Sequence, residues 1–139
     1  MKLAFTGTQT GATAKQGAAL SKFFGKYLVN EFHHGDCVGA DAQAHSIACS
    51  WHTKNIIIHP PIKTAKRAYC EKLYTFDEKF TTIVILKPKD YLVRNKDIVD
   101  ACNVLIACPK TMTEELRSGT WSTIRYARKT GKKVIILEP

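Results

Sequence analysis

Six short apolar runs, separated by stretches with helical spacing, leave this chain few folds to choose from. Lys2–Thr6, Glu31–His34, Asn55–His59, Thr82–Leu86, Asn103–Cys108 and Lys133–Leu137 each read as a short strand. Between them Leu20, Phe23, Phe24, Tyr27 and Leu28 recur at helical spacing and predict an amphipathic helix over Ala14–Leu28. Ala44, Ile47, Ala48 and Trp51 share one face of a second helix, Tyr91–Ala101 carries a third, and a further one covers about Thr120–Arg128. Strands that alternate with helices over short connections predict an α/β fold, with a mainly parallel central sheet covered on both faces. Pro60-Pro61 stops the third strand, because proline cannot donate to a ladder. The span 62–80 has no clear period and admits either a helix around Ala65–Leu73 or a basic flap. No repeat or linker interrupts the pattern, so 1–139 reads as a single domain with a basic insertion or lid at about 62–80.

At 139 residues and 45% hydrophobic content the chain can bury one real core, and two ordinary domains would not fit. No apolar stretch is long enough to span a membrane, and Met1–Gly7 is too short to be a secretory leader. The five cysteines are odd in number and hold no C-x-x-C pair, which points to free thiols, a cytoplasmic setting and no zinc. His33, His34 and His45 lack the carboxylate or thiol spacing of a metal set, and no cofactor is expected. The net charge of +9 attracts phosphates or nucleic acid. It is concentrated: residues 61–96 carry nine Lys/Arg against four acids, and 117–133 carry six against none. A solvated basic surface would give the same numbers.

Three loops follow strands and are rich in small residues: Gly7-Thr8-Gln9-Thr10-Gly11, Gly35–Asp41 and Arg117–Thr123. In open parallel sheets ligands bind beyond the carboxyl ends of the strands, where strand order reverses, so all three loops are candidates for one site. A buried strand, a glycine turn and a helix start together make an anion site, through unpaired amides and the helix dipole. Gly119 would let backbone approach a ligand while Thr120, Ser122 and Thr123 add hydroxyls; the competing reading is a glycine turn capped by Ser118 or Thr120.

The ordered motifs resemble the SLOG superfamily of Rossmann-like nucleotide-binding domains, most of all its YspA-like and DprA-like branches. Gly35-Asp36-Cys37-Val38-Gly39-Ala40-Asp41 is similar to a "GGARGAD" loop, and Asp41 with Ala44-His45 to "D-x-x-A-H". Arg94-Asn95 with Ile98 is similar to "RN-x-x-I"; Ser118-Gly119-Thr120, Ala127 and Gly131-Lys132-Lys133-Val134 follow in order. The agreement runs from Lys2 to Leu137, and only 62–80 lacks a counterpart. The resemblance implies a Rossmann-like three-layer sandwich that recognises a small nucleotide or nucleotide-derived ligand, and a homo-oligomer, dimer or higher. Its LOG branch hydrolyses N-glycosidic bonds with the glutamate of "GGxGTxxE"; this chain has Thr123 there, which cannot serve as that carboxylate.

Candidate ligand-binding residues are Gly7, Thr8, Gln9, Gly35, Asp36, Gly39, Asp41, Arg94, Asn95, Arg117, Ser118, Gly119 and Thr120. Arg94 and Arg117 are expected on phosphate, since a guanidinium fork pairs oxyanions bidentately. Were the chain an enzyme, its carboxylate would come from Asp36, Asp41, Glu114 or Glu115. Asp41 equally suits a helix N-cap or a proton-sharing pair with His45, and Glu114/Glu115 a solvated loop. Trp121 suits either a base stack or the core, and Phe23, Phe24, Tyr27 and Trp51 either an oligomer face or the core. Ligand binding for sensing or sequestration is the leading expectation, then an N-glycosidase, then DprA-like binding of single-stranded DNA.

Overall fold

All six apolar runs pair into one sheet. The computed structural model describes Met1–Pro139. Strands β1 (Lys2–Gly7), β2 (Glu31–His34), β3 (Asn55–Ile58), β4 (Thr82–Ile85), β5 (Val104–Cys108) and β6 (Lys133–Ile136) are wholly parallel, in the order β4-β3-β2-β1-β5-β6. Helices α1 (Ala14–Lys26), α2 (Ala40–Ser50), the single-turn α3 (Cys70–Leu73), α4 (Tyr91–Asp100) and α5 (Gly119–Lys129) connect them. Strand alternation feeds two cores. Leu3 and Phe5 of β1, with Ile106 and Cys108 of β5, pack under Leu20 and Phe24 of α1 and Ala44 and Ala48 of α2. Ala4, Leu105 and Ala107 face the other way, onto Ile98 and Val99 of α4 and Trp121, Ile124 and Ala127 of α5. The result is the expected three-layer, Rossmann-like α/β sandwich.

Three local expectations change. Helix α1 stops at Lys26, so Tyr27 and Leu28 leave the predicted helix and Leu28 stands 79% exposed. Trp51 ends α2 at the surface; its indole N–H donates to the Ser21 hydroxyl at 2.9 Å and its ring lies against Gly25. The predicted helix around Ala65–Leu73 is instead a 3₁₀ turn, Thr64–Lys66, followed by α3. Tyr69 lies between them at φ +55°, a left-handed conformation that interrupts any continuous helix.

Candidate functional site

The chain runs outward from β1 to β4 and then returns through α4 to β5 on the other side of β1. At that reversal α1 leaves one face of the sheet and α5 the other, and a cleft of about 380 Å³ opens at the carboxyl ends of β1 and β5. The three small-residue loops meet there. Gly7, Thr8, Gln9, Gly35, Asp41, Arg94, Asn95, Glu115, Arg117, Ser118, Gly119 and Thr120 all line it. Asp36, Gly39 and Glu114 do not.

Each helix N-terminus near the cleft is used differently. The Thr13/Gln16 capping box closes α1. The Thr8 carbonyl accepts the Ala40 N–H at 3.1 Å and closes α2. Gly39 allows this at φ +89°, since a Cβ there would strike the Gln9 and Thr8 carbonyls. The N-terminus of α5 stays open. Ser118 Oγ accepts the Trp121 N–H at 3.2 Å, while the Gly119 and Thr120 amides have no partner in the chain. A Cβ on Gly119 would meet nothing within 4 Å, so the approach to those amides is clear. Arg117 and Lys110 stand beside them, exposed and in no ion pair.

The opposite wall buries one acid, Asp41, beside Arg94. Asp41 is the second residue of α2 and does not act as its N-cap, which is Gly39. Its carboxylate turns back to accept the Cys37 N–H at 3.1 Å. Burial pushes its carboxyl up to about 6, against the opposing pull of Arg94. Arg94 has little left for a phosphate. It donates to the Gly35 carbonyl, to the His59 carbonyl at 3.2 Å and to Asn95 Oδ1 at 2.9 Å, and reaches Cys37 Sγ at 3.7 Å. Of its five N–H groups one remains. Arg94 therefore ties the ends of β2 and β3 to α4, and the Asn95 amide N–H₂ is left for the cleft. Burial, with Asp41 nearby, also raises the Cys37 thiol pKa.

No protein-family model and no curated protein matches this chain. Its fold is similar to the X-ray structure of DNA processing protein A (DprA) from Streptococcus pneumoniae, with a TM-score of 0.69 and 19% identity over 97% of this chain. The fold is DprA-like. The match takes in 49% of the DprA chain, so this chain spans about half of that protein's length. At this identity the likeness to DprA concerns the arrangement of strands and helices. No helix is long and apolar enough to cross a membrane.

Several candidate and neighbouring residues have other occupations within this DprA-like frame. Asp36, fully buried at φ +57°, accepts Arg67 Nε at 2.8 Å and the Cys70 N–H at 2.9 Å, and so anchors the span 62–80. Glu114 pairs with Arg125 at 3.0 Å, and the Glu115 carboxylate accepts the Thr111 hydroxyl at 3.2 Å. Thr123 is buried and donates to the Gly119 carbonyl at 2.9 Å. His45 does not meet Asp41; its ring pairs with His34 at 2.9 Å. The Asp36 N–H donates to His34 Nδ1, so His34 carries its proton on Nε2, donates to His45 Nδ1, and leaves the buried His45 Nε2–H unpartnered. Cys70 lies close to both rings, but in this tautomer His34 has no lone pair left for a cation. His33 bridges Glu31 at 2.6 Å and His59 at 2.8 Å. Burial lowers His45 and His59 to about 4. Sequence reasoning missed these pairs and the cleft residues Lys110 and Tyr91. Lys110 closely follows β5 as Thr8 follows β1, and that position was the available signal.

Proposed function

We propose that the chain is a SLOG-type domain that binds a small nucleotide or nucleotide-derived ligand in the β1/β5 cleft, for sensing or sequestration. The carrying observation is the open first turn of α5, with two unpartnered amides beside Arg117 and Lys110. That combination suits a phosphate group, because amide donors, dipole and mobile cations act together. The Asn95 amide and Asp41 offer donors and an acceptor to a sugar or base further in. Calorimetric titration with nucleosides, nucleoside mono- and diphosphates and inorganic phosphate tests this. Phosphorylated compounds are expected to bind, and Arg117→Ala to weaken them about tenfold. No binding by any phosphorylated nucleotide would overturn the reading.

A second reading, N-glycoside hydrolysis, is favoured by Asp41, a carboxyl in the cleft whose pKa is raised to about 6. Release of free base in the same mixtures, abolished in Asp41→Asn, would establish it. Binding of single-stranded nucleic acid draws on the net charge of +9 and the likeness to a DNA processing protein.

A further inference from the structure

The two edges of the sheet are unlike. On β6 the apolar residues are half-buried on both faces, Val134 and Ile136 against the α4/α5 core and Ile135 against the α1/α2 core. On β4 Val84 is 39% and Ile85 47% exposed, although successive strand residues face opposite sides of the sheet. No helix packs across β4, and of its residues only Ile83 reaches the core. The segment before it folds to one short turn and α3, held on Asp36, and α4 after it crosses away to β5. Leu86, Leu92, Val93 and Ile62 extend the exposed apolar surface, Ile62 being joined to Lys89 by a backbone hydrogen bond. The edge itself is open. Thr82 and Leu86 donate to Lys54 and Ile58 alongside β3, so by alternation the Ile83 and Ile85 backbone groups point outward. Proteins blunt such edges with charges, proline or a bulge. Thr82-Ile83-Val84-Ile85-Leu86 has none of these before Lys87-Pro88.

We propose that β4 is the docking edge for a second copy of this chain, paired antiparallel about a twofold axis through Val84. The outward groups set this register. Ile83 of one copy exchanges two hydrogen bonds with Ile85 of the other, the reverse pair does the same, and the two Val84 residues face each other as a non-hydrogen-bonded pair. Over the paired segment 81–87 no two charges are directly opposed, Thr82 facing Leu86 and Lys87 facing the uncharged Thr81. Covering all the exposed area of Ile62, Val84, Ile85, Leu86, Leu92 and Val93 would bury at most on the order of 600 Å² per copy, short of the roughly 800 Å² per partner of a standard interface. Of the aromatic residues that the sequence offers for an oligomer face, Phe24 is core, while Tyr27 against Phe23 and Trp51 at the α1–α2 contact keep part of their rings at the surface.

Sedimentation of the full chain tests this, with twice the 15.5 kDa chain mass expected. Val84→Lys sets two ammonium groups face to face, and Ile85→Pro removes only an outward donor. Both are expected to sediment as monomers with unchanged circular dichroism. A third variant does not rely on losing the dimer. Val84→Cys places two thiols on residues about 4.5 Å apart at Cα, within disulfide reach, and mild oxidation is expected to link the copies in full. The unmutated chain is expected to stay unlinked, its cysteines being buried apart from half-buried Cys37. A monomer at every concentration would overturn the proposal, as would a dimer that persists in both disruptive variants. Ile83 and Ile85 amides protected from exchange only by an added peptide strand would replace the second copy with that partner.

Discussion

Asp41 and the buried histidines respond to acid in opposite directions. The Asp41 carboxyl, ordinarily at 3.8, is raised to about 6 by burial. A raised carboxyl gives stability that is complete below 3.8 and lost as pH rises through 6, about 3 kcal/mol in all. His45 and His59, lowered from 6.5 to about 4, give stability that is present above 6.5 and lost as pH falls towards 4. Between pH 7 and pH 5 the two histidines together cost about 4 kcal/mol and Asp41 returns about 1, so the histidines win. Net stability is expected to fall over that range. Asp41→Asn, an imitation of the protonated acid, is expected to be about 3 kcal/mol more stable at pH 7 and to fall more steeply towards pH 5. Urea denaturation of both proteins at several pH values measures the two slopes. A shallower slope in the variant would show that the Arg94 ion pair outweighs burial.

Two elements separate binding from stability. Gly119 opens α5 with free space where a Cβ would go, so Gly119→Val is expected to change stability by less than about 0.5 kcal/mol. It should nevertheless cut phosphorylated-ligand affinity at least about tenfold by covering the two free amides. Thermal melts and calorimetry on the same variant read the two effects apart. The span 62–80 is the reverse case: backbone bonds from Val38 and Ala68 and the buried Ala68 and Cys70 hold it, and the Asp36 carboxylate adds two hydrogen bonds to Arg67 and Cys70. Asp36→Asn keeps a residue that tolerates the left-handed backbone but cannot accept both Arg67 and the Cys70 N–H as the carboxylate does. Trypsin is expected to cut within Lys63–Lys79 markedly faster in that variant, with the rest of the chain intact. Equal cleavage rates would place the anchor elsewhere. The sequence pattern announced the strands, both faces of the sheet and the loops gathered at the reversal, because periodicity and glycine placement are local signals. It could not announce that Asp36 turns inward, that Arg94 spends its fork on carbonyls, or that His34 finds His45. Those depend on which strands become neighbours.

At the scale of the whole molecule, the net charge of +9 and the cleft make different claims on a phosphate ligand. The cleft is a local site that can engage a few phosphate oxygens through Arg117, Lys110 and the α5 amides. A single-stranded oligonucleotide would instead sample the long-range field of the basic segments 61–96 and 117–133. Its affinity should then fall with salt at a slope of about −0.7 per phosphate contact, because each contact releases condensed counterions. A mononucleotide carries few charges and should show a shallow slope. Arg117→Ala distinguishes the two modes, since it removes one cation in many from the field but a principal one from the cleft. It is expected to leave oligonucleotide affinity within about twofold while lowering nucleotide affinity about tenfold. Fluorescence anisotropy with a labelled oligonucleotide over a salt series, with unlabelled nucleotide as competitor, measures both. Equal losses in the variant, with full displacement by nucleotide, would mean that the strand threads the cleft itself and that the DprA-like fold uses one site for both.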